Sequence, residues 1–145
     1  MNQNDGFYTL KGYSRSPGGM TSSMEDYLEM ICRIQQTCTV VRVNELAEML
    51  HVNPSSASKM VGHLKRQGYV DFEKYGYIRL TEKGRTEGRY LIYRHKVLHE
   101  FLCVLNKSDD QLEQAEKLEH FVDKTTVENL RILTERLKNE DKNSV

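Results

Sequence analysis

The stretch from residue 43 to residue 80 leaves a chain of this size the fewest choices of fold. Val43-Asn44-Glu45-Leu46-Ala47-Glu48-Met49-Leu50 reads as a short helix with Leu46, Ala47 and Leu50 turned inward. His51-Val52-Asn53-Pro54 is then a turn. Asn53 suits the cap of a following helix, and Pro54 its first position, where the missing N–H would have had no partner anyway. That helix spans 55–67, buries Ala57, Met60, Val61 and Leu64, and stops at Gly68. Tyr69-Val70-Asp71-Phe72 and Tyr77-Ile78-Arg79-Leu80 alternate around Glu73-Lys74-Tyr75-Gly76, the pattern of a hairpin. Two helices, a turn and a hairpin in this order make a winged helix-turn-helix.

The outward residues of the second helix, Pro54, Ser55, Ser56, Ser58, Lys59, His63 and Lys65, suit a helix lying in a major groove. Small hydroxyl residues near its start allow close approach, while cations and the helix N-terminus hold phosphates. With Tyr75, Tyr77 and Arg79 of the hairpin they form the candidate DNA-contact set. Total charge is silent on this point, since Lys+Arg of 21 balances Asp+Glu of 21. Its distribution is informative. Residues 53–70 hold Lys59, Lys65 and Arg66 with no carboxylate, and residues 79–96 are also mainly basic. Between 109 and 123, Asp109, Asp110, Glu113, Glu116, Glu119 and Asp123 face only Lys117. A basic first half joined to an acidic patch implies a phosphate-facing part and a cation-facing part. The other reading of the first half is a small unit that binds protein. The turn chemistry, the carboxylate-free helix and the short hairpin together favour DNA.

On either side of this module the pattern is helical. Residues 1–22, with Gly6, Gly12, Gly18, Gly19 and Pro17 and no period, read as a flexible arm. Ser22 or Ser23 caps a first helix running to about Thr37, with Glu25 and Asp26 completing a capping box. Residues 85–105 form a long helix with Tyr90, Leu91, Val97, Leu98, Phe101, Leu102 and Leu105 at core or interface positions. It also carries His95 and His99 one turn apart, although Lys96 stands where a zinc-protease motif needs Glu. In residues 111–121, Glu116, Glu119 and His120 fall at i, i+3 and i+4, opposite Leu112, Ala115, Leu118 and Val122. Two carboxylates and an imidazole converging on one patch offer ligands to a divalent cation. Ser108 or Asp110 is expected to cap this helix, and Thr125 or Thr126 a last one with Val127, Leu130, Leu133 and Leu137 inward. The apolar faces of the long and last helices offer a dimer surface. A hydrophobic content of 38% and mean hydropathy of −0.66 leave the core short, so a partner surface would complete it.

Four stretches carry a resemblance to a known family. They are Ser23-Met24-Glu25-Asp26-Tyr27-Leu28-Glu29, Asn53-Pro54-Ser55-Ser56-Ala57-Ser58-Lys59-Met60-Val61, Tyr93-Arg94-His95 and Glu116-Lys117-Leu118-Glu119-His120. Over residues 23–138 the chain resembles the manganese transport regulators, a branch of the diphtheria toxin repressor family. The resemblance implies a homodimeric repressor that binds operator DNA when two Mn(II) ions occupy each subunit. It implies metal ligands at Asp26, Glu29, His95, Glu116, Glu119 and His120. Taken alone, Asp26 reads as a capping acid, Glu29 as a solvated side chain and His95 as a structural histidine. Iron-responsive relatives usually have Met where Asp26 stands and Cys where Glu116 stands, and oxygen donors there suit Mn(II). The arm is longer than expected for this branch. The chain ends without the SH3-like third domain of the iron-responsive relatives, as expected of the short manganese type.

The expected architecture is therefore mainly α: an arm over 1–22, a winged helix-turn-helix over 23–84, and a helical metal-binding and dimerisation domain over 85–145. The expected partners are double-stranded operator DNA and a second copy, with no membrane and no organic substrate. Cys32, Cys38 and Cys103 form no C-x-x-C pair, which argues against a disulfide framework or zinc knuckle and fits a reducing cytoplasm. The rivals are an iron- or zinc-responsive regulator using much the same residues, and a cysteine redox sensor. A metal-dependent hydrolase lacks a nucleophile motif and a phosphate loop, so no enzyme is expected.

Overall fold

A computed structural model describes residues 19–38, 40–73 and 76–143. The described chain is mostly helical, with one small sheet. Helix α1 covers Ser22–Thr37, α2 Val43–Leu50 and α3 Pro54–Arg66. Strands β1 (Val70–Phe72) and β2 (Ile78–Leu80) pair antiparallel with Val70 opposite Leu80. Then follow α4 (Glu82–Asn106), α5 (Leu112–Glu119) and α6 (Lys124–Asn143). The winged helix-turn-helix plan is borne out.

Local chemistry explains most boundaries. The Asn53 carboxamide oxygen accepts from the Ser56 amide at 2.8 Å and Pro54 opens α3, as expected. Gly68 takes φ 82, which lets its amide reach Lys65 O and that of Tyr69 reach Leu64 O, both at 3.0 Å. Three caps differ from expectation. Thr21, not Ser22 or Ser23, caps α1 by accepting from Met24 N at 3.2 Å. Asp123, rather than Thr125 or Thr126, caps α6 through Thr126 N at 2.8 Å. Neither Ser108 nor Asp110 caps α5, because the Ser108 hydroxyl accepts instead from Asp110 N and shapes the turn before it. In addition, Val41 bridges Ile78 and extends the small sheet by one rung.

The main core joins Leu28 and Ile31 of α1, Leu46 of α2, Val61 and Leu64 of α3, Ile78 of β2 and Leu91 of α4. Helix α4 thus belongs to both halves. Its first turns close the DNA-module core, while Val97, Leu98 and Leu102 are buried further along the same helix, in the half that also buries Ala115 and Val127. Two glycines make the close approach possible. A Cβ at Gly84 would lie 1.9 Å from the Tyr69 carbonyl oxygen, and one at Gly88 2.9 Å from Cys32 Cβ.

The second half corrects one reading. On α5 only Ala115 and Glu119 are buried, whereas Leu112 and Leu118 are exposed with the neighbouring Phe121. The helix is amphipathic, but its inward stripe is not the leucine stripe. Leu105, Ile132 and Leu133 are also exposed, so an apolar outer surface belongs to this half. On α6, Val127 is buried and Thr134 takes an inward place beside it, its hydroxyl donating to Leu130 O at 2.7 Å. Cys32 is buried, Cys103 half-buried and Cys38 exposed, and all three are free thiols.

Gly84→Ala is expected to destabilise the fold by about 1–3 kcal/mol through forced separation of α4 from the hairpin. Gly62→Ala, where the nearest neighbouring atom to a Cβ lies at 3.9 Å, is expected to be neutral or to stabilise by up to about 1 kcal/mol. Urea denaturation of the two variants checks the contrast.

Candidate metal centre

Residues from three separated segments meet where α1, α4 and the end of α5 come together. Glu119, only 2% exposed, accepts from His95 Nδ1 of α4 at 2.7 Å. His120, which caps the C-terminus of α5, places Nε2 3.1 Å from Asp26 Oδ1 and 4.0 Å from Glu119 Oε1. The result is two donor groups that share Glu119. One joins Asp26, Glu119 and His120, and the other joins Glu29, His95 and Glu119; within each the ligand atoms lie within 4.8 Å of one another.

The electrostatics are those of crowded acids. Burial, and next the neighbouring Glu119, raise the Glu29 carboxyl above its ordinary range, although Arg33 donates to it at 3.0 Å. The hydrogen bond to Glu119 holds His95 above the usual imidazole range. His120 is pushed up to about 9, first by Asp26 and then by Glu25. Both imidazoles thus hold a proton more tightly than a free histidine does, because of the carboxylates beside them. A divalent cation would compensate the same carboxylates, and oxygen and imidazole nitrogen donors fit such an ion.

Five of the six residues named from the resemblance, Asp26, Glu29, His95, Glu119 and His120, are thus brought together. Glu116 is not: it is exposed on α5 and lies outside both groups. The helix buries Ala115 and Glu119 at i, i+4, and Glu116 stands about 100° further round. His99 also lies outside, its ring stacked on His95 with centroids 6.1 Å apart and Nε2 3.6 Å from Cys103 Sγ.

Sequence reasoning missed Glu25 and Arg94. Glu25 was read as part of a capping box, yet its Oε1 accepts from His120 Nδ1 at 3.0 Å and its Oε2 from Arg94 Nη1 at 3.1 Å. A signal was present, because Glu25 lies one turn before Glu29 on the same face of α1. Arg94 sits inside a stretch used for the resemblance but was given no role.

The candidate DNA face is separate. Pro54, Ser55, Ser56, Ser58 and Lys59 are exposed on α3, as are Tyr77 and Arg79 on or beside β2. His63 is half-buried and its Nδ1 meets the Arg66 guanidinium. The Lys65 ammonium donates to Phe72 O at 2.6 Å and so braces the hairpin. Tyr75 lies outside the described residues. A groove of about 630 Å³ runs between the start of α3 and the hairpin, lined by Arg42, Pro54, Ser55, Ser58, Gly76 and Tyr77 among others. Arg42 was not anticipated; its guanidinium stacks over the Tyr77 ring at 5.1 Å.

Two family models match the chain in succession. Residues 19–78 match the N-terminal DNA-binding domain of the iron dependent repressors, and residues 81–143 match their metal-binding and dimerisation domain. The chain belongs to the iron-dependent repressor family. The likeness to the diphtheria toxin repressor and manganese-regulator group is borne out. Among members of this family, an HTH-type transcriptional regulator MntR of Oceanobacillus iheyensis is 37% identical over 122 residues, 83% of each chain. That of Bacillus subtilis is 34% identical over 83% of this chain and 86% of its own. Of solved structures, the manganese regulator SloR aligns with TM-score 0.68 and 32% identity over 79% of this chain and 54% of its own. A manganese-dependent transcriptional repressor in complex with manganese aligns with TM-score 0.67 and 31% identity, over 77% and 52%. The chain thus spans about half the length of these two solved proteins.

In metal-free protein, His120 links stability to pH. Its folded pKa of about 9 lies above the ordinary 6.5, so its contribution is complete below pH 6.5 and lost as pH rises through about 9. Urea denaturation in chelator from pH 6.5 to 9.5 is expected to show falling stability, with a shallower fall in His120→Gln. Equal slopes in the two proteins would remove His120 as the cause.

Proposed function

We propose that this chain is a manganese-responsive transcriptional repressor that binds operator DNA as a homodimer when Mn(II) is bound. The observation that carries the reading is the placement of buried Glu119. It is shared by a donor group containing Asp26 and another containing Glu29, both from α1 of the DNA-binding half. A cation held there ties α1 to α4 and α5. In a homodimer joined through the second half, that tie sets the separation and tilt of the two α3 helices, which must match successive turns of the major groove. The relatives' names support both the regulatory role and manganese.

The proposed ligands are Asp26, Glu29, His95, Glu116, Glu119 and His120. The two donor groups with a shared carboxylate support a reading of two ions per subunit. Glu116 keeps its place on the strength of the family resemblance. The proposed DNA contacts are Pro54, Ser55, Ser56, Ser58, Lys59, His63, Tyr75, Tyr77 and Arg79, with Lys65 bracing the hairpin. The exposed Leu105, Leu112, Leu118, Phe121, Ile132 and Leu133 belong to the half matched to the dimerisation domain and supply apolar surface for a second copy. No helix among the described residues is long and apolar enough to cross a membrane, and we place this regulator, which is not an enzyme, in the cytoplasm. An iron- or zinc-responsive regulator is the second reading, favoured by the iron-dependent name of the matching family. The oxygen-rich donor set favours manganese.

Binding of metal and of DNA must be reciprocally coupled, typically by about 1–3 kcal/mol, or roughly 5–150-fold in affinity. Fluorescence anisotropy on operator DNA is expected to show that gain between chelator and excess Mn(II), and a smaller one with Fe(II) or Zn(II) at equal free concentration. Unchanged affinity would refute the switch. Lys59→Ala is expected to weaken DNA binding and reduce the salt slope by about one while leaving Mn(II) uptake intact. Glu119→Ala is expected to lose Mn(II) uptake and the metal-dependent part of DNA binding. If both variants lost metal equally, the division between the two halves would be wrong.

A further inference from the structure

Beside the donor groups lies a chain of contacts that none of the metal ligands explains. Arg94 is only 4% exposed, an unusual place for a guanidinium. Its Nη1 donates to Glu25 Oε2, and its Nε has no partner among the described residues. The other Glu25 oxygen accepts from His120 Nδ1. Glu25 therefore spends both oxygens on two cationic neighbours and is held from behind by one of them. Asp26, the next residue on α1, meets the opposite nitrogen of the same ring. Consecutive residues of one helix thus grip the two nitrogens of one imidazole. Nδ1 is occupied, and Nε2 is left facing Asp26 and Glu119, the other members of its donor group.

We propose that Glu25, anchored by Arg94, is the positioning residue for His120: it holds the proton on Nδ1 and presents Nε2 to a divalent cation. Glu25 is not itself a ligand in this scheme. It acts through the ring, as carboxylates behind metal-bound histidines do. This rests on the metal-centre reading above and adds to it that α1 is already latched to α4 and to the end of α5 before any cation arrives. The latch also explains why α1 carries three acids near one turn. Asp26 and Glu29 face the cation, whereas Glu25 faces the ring that holds it.

Two variants separate the hydrogen bond from mere filling of space. Glu25→Gln keeps an acceptor for Nδ1–H, and Glu25→Leu does not. Mn(II) affinity, titrated by electron paramagnetic resonance on protein shown to be folded by circular dichroism, is expected to fall about 10–100-fold in Glu25→Leu. It is expected to recover most of that loss in Glu25→Gln. Wild-type affinity in Glu25→Leu, or an equal loss in both variants, would overturn the positioning role. A measurement on the wild type needs no variant: with Cd(II) as a diamagnetic probe, ¹⁵N spectra of the His120 ring are expected to place the cation on Nε2 and the proton on Nδ1. Cadmium on Nδ1 would also overturn it. Failure of the wild type to take up Mn(II) at all would sink the metal reading itself, an outcome distinct from both.

Discussion

A carboxylate buried at a junction between helices must find positive charge, and Glu119 sets that demand for the whole molecule. It sits almost fully out of water, and after burial its charge is the next cause that raises the neighbouring Glu29 carboxyl above its ordinary range. Isolated buried charge is costly, so the surrounding structure is organised to supply compensation. The imidazoles of His95 and His120 provide it here, each with its proton held more tightly than usual. Because those compensating groups come from different helices, neutralising Glu119 and closing the junction are one event. A metal-responsive switch needs this coupling between local charge and the relative placement of helices.

The junction works mechanically because α4 is continuous through it. Its N-terminal turns lie against α1 and the hairpin at Gly84 and Gly88, where the backbone approaches too closely to admit a side chain. Further along, the same helix presents Arg94 and His95 to the centre and then buries Val97, Leu98 and Leu102. Motion of α1 relative to the second half must therefore be accommodated around this one rod. The Arg94–Glu25–His120 contacts tie α1 to it on one side, and the Glu29–His95–Glu119 group does so on the other.

Much of the DNA-binding half was legible along the chain, since its signals are local. Asn53-Pro54 starts a helix whatever lies around it, and Gly68 ends one by taking a left-handed backbone conformation. The hairpin likewise followed from alternation of Val70, Phe72, Ile78 and Leu80. The second half was read less well. Its helices were placed correctly, but the α5 leucines were turned inward when they face out. A periodic apolar stripe shows that a surface is to be covered, without showing whether the chain's own core or another molecule covers it. Glu116 was grouped with Glu119 on spacing and on the family resemblance; it stands exposed about 60° round the helix from Glu119 and outside both donor groups. Glu25 was taken for a cap, because a carboxylate in the first turn of a helix satisfies that rule as readily as it serves a distant histidine.

By itself the order of residues determined the helix-turn-helix, the wing, the acidic helix and the kinds of ligand on offer, because capping, turn formation and amphipathic period act over a few residues. Which carboxylates meet which imidazoles was decided only by tertiary packing. Glu25 and His120 are 95 positions apart, and their contact depends on how two helices dock. Ion pairing of that sort leaves no periodic trace in the chain, since its free energy arises from burial and proximity that exist only once the fold has closed.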